Sequence, residues 1–136
     1  MSIDVGTQIP PLEITSVSAE KMKTMAALLA DPTPIHWDTR VTAELGLGDR
    51  PINQGPLNMG YVMTMLANWA GGRDRISQFR VRFLGNVLAE DRLRASGTVT
   101  AVREENGRRL ADCEVGLEVV DGAAVLSGTA TVALDS

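Results

Sequence analysis

From Leu57 to Ala70 the chain carries no charged side chain. Leu57, Met59, Tyr61, Val62, Met63, Met65, Leu66, Ala67, Trp69 and Ala70 put apolar groups on every side of a helix drawn through the segment. Proline suits the first helical position, which makes Gly55 the expected cap and Pro56 the first residue. Gly71-Gly72 closes the helix. At about 1.5 Å per residue it is about 20 Å long, short of the roughly 30 Å core of a bilayer. A helix that is apolar all round and does not cross a membrane is expected to be buried all round. The rest of the chain must supply its cover.

The second half of the chain offers a sheet. Phe79, Val81 and Phe83 alternate with Gln78, Arg80 and Arg82; Leu93, Ala95, Val99 and Ala101 alternate with Arg92, Arg94, Thr98 and Thr100. Cys113, Val115, Leu117 and Val119 oppose Asp112, Glu114 and Glu118, and Leu126, Ala130, Val132 and Leu134 oppose Ser127, Thr129 and Thr131. A period of two marks strands with one buried face. Asn106-Gly107 and Asp121-Gly122 are hairpin signals, because both central residues of a type I′ turn need positive φ. Strands near 91–103, 109–120 and 124–134 are expected to form an antiparallel meander, joined by a strand at 76–84.

The first half is helical after a short β-like run, Leu12 to Val17, that follows Pro10-Pro11. Ser18 can cap a helix with Glu20 in its first turn, and Val17 and Met22 stand at hydrophobic-staple positions. Met22, Met25, Ala26 and Leu29 follow at helical spacing towards an end near Ala30. Asp31-Pro32-Thr33-Pro34 stops it, and each proline should hold the residue before it extended. Asp38 or Thr39 restarts a short helix through Leu45, which Gly46 and Gly48 end.

At 136 residues the chain is expected to be one domain, residues 1–136, of α+β class. One wholly apolar helix inside an antiparallel sheet with one apolar face is the hot-dog arrangement. Patterning leaves the strand order open.

Charge and scarce residues exclude several functions. Thirteen Lys and Arg against seventeen Asp and Glu give a net charge of −4, with no basic run, so neither nucleic acid nor an anionic membrane is an expected partner. One cysteine, Cys113, and one histidine, His36, cannot build a Cys/His zinc site or a disulfide framework within one chain. No metal is expected. The N-terminus has no basic and apolar signal segment, and the expected location is the cytoplasm. Acid–base chemistry near neutral pH points to His36.

Asp31-Pro32-Thr33-Pro34-Ile35-His36 places a carboxylate and an imidazole across a proline-stiffened turn. Converging on one water, they could make it a nucleophile and then deliver a proton, which is general acid–base catalysis. The plain alternative is that Asp31 caps a turn and His36 is a satisfied polar residue at a helix start. Gln54-Gly55-Pro56-Leu57 opens the apolar helix, whose first turn presents free N–H groups and a partial positive charge. Pro56 has no N–H, so the donors there are Gly55, Leu57 and those just beyond. They could polarise a thioester carbonyl and stabilise an enolate oxygen. An ordinary glycine cap explains the same residues.

Asp31-x-x-Pro34-Ile35-His36, followed by Gly55 opening an apolar helix, resembles the hydratase-2 motif of MaoC-like (R)-specific enoyl-CoA hydratases and 3-hydroxyacyl-thioester dehydratases. These are hot-dog proteins. The strand Phe79-Arg80-Val81-Arg82-Phe83 and Asn86-Val87 extend the likeness over most of the chain. The resemblance implies reversible, syn addition of water to a trans-2-enoyl thioester, giving the (R)-3-hydroxyacyl thioester in fatty acid metabolism. It gives Asp31 and His36 the activation of water and Gly55 the N–H to the thioester carbonyl. It implies no cofactor beyond the CoA or phosphopantetheine arm of the substrate, and a homodimer or a heteromer with another hot-dog chain. Trp37, Gln54 and Tyr61 are candidate acyl-pocket residues, with core packing as the alternative for the aromatics. Arg75, Arg80 and Arg82 either meet CoA phosphates or form a solvated strand face. Cys113 falls on a buried phase.

Three positions depart from the family's pattern. The usual Gly-Asp-x-Asn-Pro is here Ala30-Asp31-Pro32-Thr33-Pro34, with a hydroxyl in place of an amide. The histidine often found before the helix glycine is Gln54. A common Gly-Asp near the start of the long strand is Glu90-Asp91. Two rivals stand beside the hydratase. An acyl-CoA thioesterase on the same fold can carry its carboxylate on the central helix, which here has no Asp or Glu. The other is a non-catalytic acyl-binding subunit of a heteromeric dehydratase.

Overall fold

A computed structural model describes residues 3–31 and 33–134. The order is β1 (Gln8–Ile14), α1 (Ala19–Leu28), α2 (Thr39–Glu44), α3 (Gly55–Ala70), β2 (Ile76–Phe83), β3 (Leu93–Glu105), β4 (Arg108–Val119) and β5 (Ala124–Ala133), with 3₁₀ turns at Pro34–His36 and Arg73–Arg75. The strands form one antiparallel sheet in the order β1-β3-β4-β5-β2. Helix α3 contacts all five of them. This is the expected hot-dog fold. Val62, Met65 and Leu66 of α3 meet Leu93, Ala95, Val99, Cys113, Val115, Leu117, Leu126, Ala130 and Val132 in one buried core. No helix among the described residues is long and apolar enough to cross a membrane.

The local signals hold where they rest on chemistry within a few residues. The Ser18 hydroxyl accepts from the Lys21 N–H at 3.2 Å, and Val17 and Met22 are buried as the staple requires. Asp38 caps α2, its carboxylate accepting from the Arg40 N–H at 3.0 Å. Asn106 and Gly107 both take positive φ, 52° and 77°, as a type I′ turn demands.

Elsewhere the structure corrects the sequence reading. β1 runs through Pro10 and Pro11 and ends at Ile14, where a run from Leu12 to Val17 was expected. Prolines cost a strand its ladder donors, and they are tolerated here because β1 is an edge strand with a register shift between Ile9 and Leu12. A second shift, between Val99 and Ala101, moves the core-facing position from Ala101 to Val102. At the β4–β5 turn Asp121 is left-handed at φ 61° and Gly122 is not, as in a type II turn. The Gly122 N–H donates to the Val119 carbonyl at 2.8 Å. Gln54 is the cap of α3, which moves Gly55 to the first helical position and Pro56 to the second.

The expectation that α3 is buried all round also fails for the single chain. Only Asn58, Val62, Met65 and Leu66 are buried, while Leu57, Met59, Tyr61, Met63 and Trp69 are half-exposed. The sheet covers one side of the helix, and the remaining apolar side chains are only partly covered in the single chain.

Helix α1 stops at Leu28 through a Schellman arrangement: the Asp31 N–H donates to the Ala26 carbonyl at 2.9 Å and the Ala30 N–H to Ala27 at 3.2 Å. This puts Ala30 in the left-handed region at φ 50°, and Glu90 has φ 72°. These are the positions where the family pattern has glycine, and the conformation explains why. An L side chain there costs roughly 1–2 kcal/mol, part of which glycine returns as chain entropy. Ala30→Gly and Glu90→Gly are each expected to stabilise the fold by about 1 kcal/mol. A urea midpoint that stays put or falls in both variants would contradict this reading.

Candidate active site

The end of α1 and the following 3₁₀ turn bring Asp31 and His36 together, and the Ile52 carbonyl ahead of α3 holds the histidine. Asp31 Oδ2 lies 3.8 Å from His36 Nε2, with side chains 32% and 12% exposed. That distance is too long for a direct hydrogen bond, and one water can span it with ordinary bonds of about 2.8 Å to each. Pro32 lies outside the described residues. Thr33, at φ −58° and ψ 116°, is kept out of the helical region before Pro34, as expected.

Each partner is oriented by its other polar atom. Asp31 Oδ1 accepts from the Thr33 N–H at 3.0 Å and the Thr33 hydroxyl at 2.5 Å. Thr33 therefore anchors the carboxylate, and Oδ2 is left facing the imidazole. The Thr33 hydroxyl first, then the Thr33 N–H and His36, hold the Asp31 carboxyl below the usual carboxylate range, against the opposing pull of burial. It is ionised throughout the neutral range. His36 Nδ1 lies 2.7 Å from the Ile52 carbonyl oxygen. A carbonyl can only accept, so Nδ1 carries the proton and Nε2 of the neutral ring presents a lone pair towards Asp31. Ile52 is itself fixed by its N–H to the Ile35 carbonyl at 2.9 Å.

Gly55 opens α3, nineteen residues after His36 in sequence. The N–H groups of Leu57 and Asn58 already donate to the Gln54 carbonyl at 3.1 and 3.2 Å, and Pro56 has none. Of the two donors singled out, Leu57 is therefore engaged, and Gly55 is the first-turn N–H that the helix leaves for another acceptor. Gln54 is buried and points inwards, its side-chain amide donating to the Met22 carbonyl at 2.7 Å. It tethers α3 to α1 and does not line an open pocket. Tyr61 is half-buried; burial pushes its hydroxyl up and the Asn53 amide beside it opposes this. Trp37 is 46% exposed. Arg80 and Arg82 lie on the exposed phase of β2. Cys113 is buried, and burial pushes its thiol up to about 11.

Of three further contributors to the site, Thr33 stands out in the sequence as a hydroxyl in place of the family's amide, and the other two do not. Thr33 carried a local signal, since a side chain two residues after Asp commonly closes such a turn. The Ile52 carbonyl carried none, because backbone groups sixteen residues away are invisible to pattern. The third is the buried amide pair, in which Asn53 Nδ2 donates to Asn58 Oδ1 at 2.7 Å behind the start of α3.

Known proteins share this fold. The family model described as "MaoC like domain" matches residues 5–123. The (R)-hydratase from A. caviae involved in PHA biosynthesis is 27% identical, with 98% of each chain covered and a TM-score of 0.85. R-Hydratase PhaJ1 from Pseudomonas aeruginosa is 20% identical over 98% of this chain and 84% of that one, TM-score 0.84. A chain of the ChsH1-ChsH2 complex from Mycobacterium tuberculosis is 21% identical over 99% and 100%, TM-score 0.80. At those last two identities the likeness is one of fold. No curated protein sequence matches. With the match spanning β1 to β4, the central helix and the Asp31–His36 turn, the chain belongs to the MaoC-like dehydratase family.

Proposed function

We propose that this protein is a hydro-lyase that adds water reversibly to trans-2-enoyl thioesters of CoA or an acyl carrier protein, giving (R)-3-hydroxyacyl thioesters. One observation carries the reading: Asp31 Oδ2 and His36 Nε2 face each other at 3.8 Å, each tethered through its other atom. Both atoms are acceptors, so one water can donate a proton to each and keep an oxygen lone pair for attack.

In this reading the water oxygen bonds to C3 and the C2–C3 π pair moves onto the thioester oxygen. The Gly55 N–H and the positive end of α3 stabilise that oxygen. The water proton passes to the Asp31–His36 pair and is returned to C2 on the same face as the enolate collapses. The enzyme ends unchanged and one water has been added syn. No cofactor takes part beyond the thioester arm of the substrate. The thioesterase alternative lacks a carboxylate on α3, which contains no Asp or Glu.

The working unit in this proposal is a homodimer. The half-exposed side of α3, with Phe83 51% and Leu84 50% exposed beside the edge strand β2, is the surface such a partner would cover. Solved structures of this fold include the ChsH1-ChsH2 and HadBC complexes, which favours a heteromer as the second reading. The deciding experiment incubates the purified protein with trans-2-enoyl-CoA esters of several chain lengths. Loss of the enoyl absorbance with an (R) product is expected. Release of free CoA would establish the thioesterase. Inactivity alone with activity beside a second hot-dog chain would establish the subunit.

A further inference from the structure

The ring of Phe83 closes over the first residue of α3. A Cβ built on Gly55 would meet Phe83 Cζ at 3.0 Å, Cε1 at 3.2 Å and Cε2 at 3.6 Å, so the far edge of the ring lies against the Gly55 backbone. Phe83 is the last residue of β2 and is 51% exposed. One part of the ring therefore covers Gly55 while the rest faces outwards. Val81, two residues earlier on the same face, packs against the core. Phe83 thus carries that apolar face past the rim of the sheet and onto the helix start.

We infer that Phe83 is a specificity-determining residue of the thioester site: its ring is the wall beside Gly55 that limits the substituent accepted on the carbon next to the thioester carbonyl. The inference rests on the proposed role of the Gly55 N–H. An oxygen accepting from that N–H sits about 2.9 Å from a nitrogen one bond away from the carbon the ring covers. The carbonyl carbon and its neighbour are then brought within van der Waals reach of the phenyl edge. A linear acyl chain presents a CH₂ there, and an α-branched chain adds a methyl. One methyl in a closely walled pocket is worth about 10–200-fold.

The test measures calorimetric binding of butyryl-CoA and isobutyryl-CoA to the full-length protein and to Phe83→Ala. Both ligands are saturated, so binding is read without turnover. The wild type is expected to prefer butyryl-CoA about ten-fold, and Phe83→Ala to narrow the ratio to about two-fold by gaining affinity for isobutyryl-CoA. An unchanged ratio, or no preference in the wild type, overturns the inference. Phe83→Leu, which keeps an apolar side chain, is expected to fall between the two and carries the same test should the alanine variant fold poorly. If binding follows this pattern while no enoyl-CoA is hydrated, the wall stands and the hydratase reading falls. If hydration occurs and the ratio is the same in all three proteins, the outcome is the reverse.

Discussion

Asp31→Asn and His36→Ala are each expected to lower turnover of a trans-2-enoyl-CoA by about 10²–10⁴-fold, the usual weight of a positioned acid–base group. The asparagine is close to isosteric and its oxygen can still accept from Thr33. Its NH₂ would then face His36 Nε2, 3.8 Å from the atom it replaces, and donate where the carboxylate accepts. The water loses one of its two acceptors while the loop keeps its shape. His36→Ala removes the other acceptor and also the Nδ1 tether to Ile52, which costs about 1 kcal/mol of stability and leaves most of the protein folded. Because both groups act on one water, the double variant is expected to be little worse than the poorer single variant. The sign of the pH effect follows from the lowered Asp31 carboxyl. Its charge is present above the ordinary 3.8 and is lost only as pH falls below that, so it imposes no fall in rate near neutrality. Steady-state rates near wild type in either single variant, measured on folded protein, would remove the pair from catalysis.

The second large effect is on stability. Gly128 of β5 lies opposite Val81 of the edge strand β2. A Cβ there would stand 2.1 Å from the Arg80 carbonyl oxygen and 2.9 Å from the Val81 Cα. Both obstacles are backbone and cannot rotate away, so β2 has to shift as a unit. Gly128→Ala is expected to cost about 3 kcal/mol, the upper part of the overpacking range, and to lower the melting temperature by about 10 °C. The shift would also disturb the pairing of Phe83 with Leu126 and hence the cover over Gly55. Gly60→Ala is the matched control. Gly60 lies within α3 with nothing within 4 Å of a Cβ, so the same substitution should be neutral or gain about 0.5–1 kcal/mol. Equal melting temperatures for the two variants would show that the close backbone approach at Gly128 does not constrain the fold.

Much of the architecture is legible in the chain because its causes are local. The uncharged run after Gly55 marks the central helix that packs on the sheet, and the alternation from Phe79 onwards supplies a sheet with one apolar face. Ser18, Asp38 and Asn106-Gly107 act through hydrogen bonds or dihedral preferences within a few residues, and all three behave as expected. The candidate site is readable for the same reason. Asp31 and His36 are five positions apart, and their turn closes on itself through Thr33.

The failures share one physical origin. A period of two tells which face a residue takes, and is silent on which strand lies beside it. That β1 and β2 form the two edges, that prolines can therefore sit in β1, and that bulges displace Ala101 from the core all depend on pairings between distant segments. Fold class, the central helix and a candidate acid–base pair are written in the chain alone, since propensity, capping and patterning act over short spans. The His36 tautomer set by the Ile52 carbonyl and the cover of Phe83 over Gly55 arise only from tertiary packing. Each of these is a contact between groups far apart in the chain, and no local preference encodes it.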